Sequence, residues 1–157
     1  MFNAIEAFRR RYLGLPMATV LILSVAGAAI GAKDLTVEEL KARLESASTG
    51  DRPHLCVEIA ERQLSFADKF YADGESEKGQ VALTDVAVFC ETARDNSIQS
   101  GKHLKQTEIA VRQMARKLAD LKHTVTHDEQ TAVQDTIDRL QRVRDDLLAA
   151  MFHKGDK

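Results

Sequence analysis

The chain has 157 residues with two prolines, no Trp and 5% aromatic residues, a composition that argues against a β-rich domain. The charged fraction of 29% is mixed in sign, which suits solvated helix faces better than disorder. A formal net charge of −2 gives no strong basic field, so no nucleic-acid partner is expected.

The first 32 residues have the features of a secretory signal peptide. A run of three arginines at positions 9–11 precedes an apolar stretch over residues 13–25, and small residues follow. Cleavage fits after Ala28, in an Ala-x-Ala pattern, or after Ala32. The alternative is an uncleaved anchor, because residues 13–32 have about the length that spans a bilayer. The sequence therefore predicts export to the periplasm or the medium, with membrane association only if cleavage fails.

The remaining residues, 33–157, are predicted to form a single helical domain. Thr36 and Glu39 have the spacing of a capping box, which indicates a short first helix that ends before Gly50. A second helix is expected to begin near Pro53 and to end near Gly74. Its predicted buried face consists of Cys56, Ile59, Ala60, Leu64, Ala67, Phe70 and Tyr71.

Apolar and small residues then recur at alternating spacings of four and three from Gly79 to Val125, the pattern of a coiled-coil seam. This register favours one continuous central helix over about 76–124, because a turn usually resets the register. The alternative is a break within residues 96–101, where Asn96, Ser97 and Gly101 are weak helix formers. If the helix is continuous, Ser97 and Ser100 mark a narrow waist, at which a partner helix comes close or two helix ends meet.

A last helix is expected to begin near Asp128, because Thr126 and Glu129 form a second capping box. Together these elements predict an all-α fold in which antiparallel helical hairpins surround the long central helix. The break at 96–101 would instead give a four-helix bundle.

Residues from about 63 to 86 resemble one tetratricopeptide repeat in the spacing of their small and large side chains. Ala67 lies three positions before Phe70, a glycine lies in the turn, and Gly79 lies four positions before Leu83. The next turn follows about 50 residues later, whereas that family repeats at about 34, so a tandem array is not expected. The resemblance implies a helical hairpin of a kind often used as a protein-interaction surface.

In the hairpin that this resemblance implies, Ala67 faces Gly79. The same antiparallel register places Cys56 opposite Cys90, and an exported chain would meet an oxidising environment. A structural disulfide between Cys56 and Cys90 is therefore predicted. The alternative is a pair of reduced cysteines that pack in the core as small hydrophobic side chains.

No catalytic motif is present: the sequence lacks a Gly-rich phosphate loop, a nucleophile elbow and HExxH. We therefore expect neither enzymatic activity nor a cofactor. His123 and His127 have the i,i+4 spacing of a zinc pair, but the residues between them are typical of a turn. They are predicted to be exposed turn residues rather than metal ligands.

These patterns favour an exported, non-catalytic helical module that binds a protein partner or a second copy of itself. A slab two helices thick would leave apolar edges in water, and their burial favours adding a partner. Two alternatives stay open. One is a four-helix bundle that carries a metal or a ligand, which requires the break, and the other is an envelope structural protein anchored by an uncleaved N-terminus.

Overall fold

A computed structural model describes residues 35–153 of the chain, and this part folds into five α-helices without a strand. The predicted all-α class is confirmed. The predicted signal peptide or anchor, with its cleavage positions Ala28 and Ala32, lies outside the described residues. The helices are α1 (Val37–Ser46), α2 (Arg52–Ala72), α3 (Ser76–Ser100), α4 (Leu104–Lys122) and α5 (His127–His153).

The first helix begins at the predicted capping box. The Thr36 backbone N–H donates to Glu39 Oε2 at 2.7 Å, and the Glu39 backbone N–H donates to Thr36 Oγ1 at 3.2 Å. Val37 and Leu40 of α1 pack with Ile59 of α2 in a small apolar cluster of their own. α1 therefore lies on the outside of α2, apart from the main core.

The predicted continuous helix over about 76–124 is wrong, because α3 ends at Ser100 and α4 begins at Leu104. The break occurs at residues 101–103, at the C-terminal edge of the predicted alternative. Gly101 (φ 65°) and His103 (φ 60°) both adopt the left-handed conformation. Glycine enters this region without the Cβ penalty of other residues, so Gly101 ends α3.

Two antiparallel hairpins, α2–α3 and α4–α5, stack on each other to form the bundle. α3 contacts α5, and α2 contacts α4. Three side-chain hydrogen bonds join α3 to α5. In each of them the residue of α5 lies between 48 and 53 positions later in the chain than its partner in α3, so this offset stays nearly constant along the two helices. α3 and α5 are therefore parallel, and the second hairpin has the same orientation as the first.

The main core runs through both hairpins. Its members come from all four bundle helices, and Val86, Met114 and Leu140 are among those with almost no exposed surface. The seam predicted from the heptad spacing is the part of α3 and α4 that faces this core. Within residues 35–153, no helix combines the length and the hydropathy that crossing a membrane requires.

Candidate functional site

The two cysteines lie on facing helices of the first hairpin. Cys56 of α2 and Cys90 of α3 are both fully buried, and both are free thiols in this structure. Burial raises the pKa of the Cys56 thiol to about 11. Burial also raises the pKa of Cys90, with further contributions from Glu91 and from Cys56 itself. The disulfide between Cys56 and Cys90 stays a prediction.

The histidines of the possible zinc pair flank a turn. His123 caps the end of α4, His127 is the first residue of α5, and both are exposed. In the part of the chain that the structure describes, no three His, Cys, Asp or Glu side chains converge as ligands of a metal ion would. Nearby, Glu129 accepts hydrogen bonds from Thr126 and from Ser76 of α3, which lower its pKa.

A buried polar cluster supports the turn between α3 and α4. Ser97 and Thr107 are buried, and their hydroxyl oxygens lie 3.0 Å apart. Glu108 is also buried and accepts a hydrogen bond from Arg144 Nε of α5 at 3.0 Å. Ser97, expected at the waist of a continuous helix, instead joins the end of α3 to the start of α4. Across residues 35–153 every buried side-chain nitrogen and oxygen has a hydrogen-bond partner, so this cluster serves packing.

Ion pairs join the two hairpins along α3 and α5. Arg139 donates from Nε and Nη2 to the two carboxylate oxygens of Glu91, each at 2.8 Å. This fork of hydrogen bonds from Arg139 lowers the pKa of Glu91. Three residues further along α3, Arg94 Nη1 donates to Asp146 Oδ2 at 2.9 Å. These contacts hold the stacked hairpins in register.

The outer face of the α2–α3 hairpin is only partly covered. α1 covers the part around Phe89, where Lys41 of α1 lies over the ring at 5.5 Å. Towards the turn that joins α2 to α3, an open groove of about 400 Å³ remains, and we call it the tip groove. It is lined by Gln63, Phe70, Glu77, Lys78, Val81, Ala82 and Asp85.

Phe70, Val81 and Ala82 form an apolar floor in the tip groove. Val81 exposes 65% of its surface, and Phe66, beside the groove, exposes 41%. The Phe66 and Phe70 ring centroids are 6.4 Å apart at an interplanar angle of 41°. Phe70, predicted on the buried face of α2, is partly buried against the main core and also lines the groove. Val81 falls off the heptad seam and Phe66 off the predicted buried face of α2, and this was the signal that could have identified a second apolar face on the hairpin.

A scan against protein-family models, a search of curated proteins and a search of solved structures each found no match to the chain.

Proposed function

We propose that this protein is an exported, non-catalytic helical module that binds a protein partner. The observation that carries the proposal is the tip groove, lined by the exposed Val81 and by Phe70, whose ring lies next to the exposed Phe66. Exposed apolar surface of this kind marks an interaction site, because water covers it at a free-energy cost that a partner would remove. The tetratricopeptide-like spacing of this hairpin supports the same function.

Export is the second part of the proposal and depends on the sequence of residues 1–32. The arginine run, the apolar stretch and the small residues up to Ala32 support it. The mass of the protein recovered from its native host tests it, because cleavage after Ala28 or Ala32 gives a defined shortened chain. An intact chain in the membrane fraction would favour the anchored envelope protein instead.

Site-specific photo-cross-linking in the native host tests the binding function. A photoreactive phenylalanine analogue placed at Phe66 or Phe152 samples the tip groove or the far end of α5, both of which are exposed. We expect a discrete protein adduct from at least one position. If neither position yields an adduct, and the purified protein has no absorbing cofactor or bound metal, the binding function is contradicted.

The break between α3 and α4 meets a requirement of the second candidate function, a ligand-carrying bundle. An open cleft of about 370 Å³ lies between α2 and α4, lined in part by Leu64, Asp68 and Lys117. Its mixed polar and apolar walls are suited to a small ligand. An absorbance spectrum and elemental analysis of the protein purified from its host would reveal such a cargo.

A further inference from the structure

From the charges around the tip groove, we propose that it binds a basic amphipathic helix of a partner protein, lying beside α1 along the α2–α3 hairpin. This inference rests on the proposed binding function and names its site and the chemistry of its partner. Its three supports are the apolar floor of the groove, the carboxylates on its rim, and the way in which α1 already uses the same face.

The apolar floor suits the side chains of one helix face. Phe70 and Val81 lie on opposite walls, contributed by α2 and α3, and the small Ala82 forms part of the lining between them. A groove between two antiparallel helices accepts the row of apolar residues that an amphipathic helix presents at positions i, i+3, i+4 and i+7. The groove is therefore shaped for a helix rather than for an extended strand, which would need a sheet edge.

The rim of the groove is acidic. Glu77 and Asp85 flank it, and Lys78 is the single basic lining residue. Lys78 is already engaged, since its Nζ is 2.5 Å from Glu75 and 5.7 Å from the centre of the Phe70 ring. Glu77 has no ion-pair or hydrogen-bond partner within residues 35–153, so its carboxylate is available to a cation of the partner.

α1 shows how this face binds a helix. Leu40 of α1 packs on α2, and Lys41 Nζ lies 3.7 Å from Asp85 across the hairpin. The contact made by α1 therefore combines a buried apolar residue with an adjacent lysine. We infer the same combination for the partner helix. Asp85 also accepts a hydrogen bond from Gln63 Nε2 at 2.7 Å and is therefore already engaged. Glu77, about 12 Å away along α3 at 1.5 Å per residue, is the rim carboxylate left for a basic residue of the partner.

The test uses the full chain and a fluorescein-labelled synthetic peptide of about four helical turns, with leucines on one face and flanking lysines. A matched peptide carries Glu in place of each Lys. We expect the basic peptide to bind. Val81→Lys should weaken its binding about tenfold or more, because the substitution removes one buried apolar contact and adds charge repulsion. Glu77→Gln should weaken it less and reduce its dependence on salt concentration.

Ile98→Lys is the matched control, because Ile98 is an exposed apolar residue of α3 that does not line the groove. It should bind the peptide as the wild type does, and circular dichroism should show unchanged helix content in every variant. Absent binding, equal binding of the acidic peptide, or unchanged binding by Val81→Lys would each overturn the inference. A cross-linked partner at Phe152 but not at Phe66 would overturn it as well, while leaving the proposed binding function intact.

Discussion

Two left-handed residues decide how the chain runs between α3 and α4. Gly101 and His103 have φ values of 65° and 60°, and the chain reverses direction around them. An L-residue with a Cβ costs about 1–2 kcal/mol in this region, whereas glycine adopts it freely. The left-handed conformation therefore costs little at Gly101, whereas it costs free energy at His103.

The first prediction concerns this turn. Gly101→Ala should lower the free energy of unfolding by about 1 kcal/mol, because the added Cβ is strained at positive φ. His103→Gly is the paired variant and should leave stability unchanged or raise it, since it removes that strain. Urea unfolding followed by circular dichroism measures both. A more stable Gly101→Ala protein would indicate that α3 and α4 are continuous in solution.

The buried cysteines define a second prediction at the residue scale. A thiolate is the attacking species in disulfide formation, and burial raises the pKa of both Cys56 and Cys90. The reduced, folded protein should therefore react very slowly with oxidised glutathione. The bond should form earlier, while the hairpin is still opening and closing, with the electrons passing to a disulfide oxidant.

Protein recovered from an oxidising compartment should accordingly contain a Cys56–Cys90 disulfide. The bond would close a loop of about 35 residues and stabilise the fold by roughly 3–4 kcal/mol in the chain-entropy model. Thiol titration of the denatured, unreduced protein measures it. Two free thiols would end the prediction, and Cys90→Ala supplies a reference sample with one thiol.

At the scale of helices, the apolar spacing predicts which residues are buried better than it predicts where the chain turns. Leu83, Val86, Val111 and Leu118 all follow the seam and all are buried. The register continues across the break because Ser100 and Leu104 are four positions apart, which is also a spacing within a helix. Periodicity carries no information about φ, so the turn was indicated only by the weak helix formers Asn96, Ser97 and Gly101.

The stacking of the two hairpins was likewise inaccessible to local patterns. Asp135 and Arg139 of the last helix have the i,i+4 spacing of a surface ion pair. In the structure Arg139 instead binds Glu91, 48 positions away. A pair so distant in the chain depends on tertiary packing, which neither helix propensity nor spacing encodes.

A third prediction tests this contact between helices. The pKa of Glu91 is lowered from its ordinary value of 4.5 in the folded state, so the unfolded chain binds the proton more tightly. The contribution of the pair is complete above about pH 4.5 and is lost as the pH falls through the folded-state pKa. Glu91→Gln should lower the free energy of unfolding by about 1 kcal/mol at neutral pH. The effect is small because solvent screens the charges of the pair.

Urea unfolding at neutral pH and at acid pH measures this effect. The difference between wild type and Glu91→Gln should shrink in acid, and Arg139→Gln should behave alike in a double-mutant cycle. Glu77→Gln is the control, because no partner of Glu77 is found within residues 35–153. A pH-independent difference would show that packing, rather than ionisation, gives Glu91 its effect.

At the scale of the helical unit, the break changes where apolar surface is left exposed. A continuous central helix would have left the seam uncovered at its edges, which favoured a second copy of the chain. Because α4 folds back, the seam residues of α3 and α4 face one core shared by both hairpins. The exposed apolar surface that remains on the α2–α3 hairpin includes Val81 of the tip groove and Phe66 next to Phe70.

The last prediction follows from this change. Multi-angle light scattering of the mature protein at tens of micromolar should give the mass of one chain, because the seam that favoured a dimer is covered within the chain. Val81→Lys should have the same mass, since the tip groove is proposed to bind a basic helix of another protein. A dimer that Val81→Lys dissociates would make a second copy the occupant of the groove. A dimer that the variant leaves intact would place the interface on another face of the molecule.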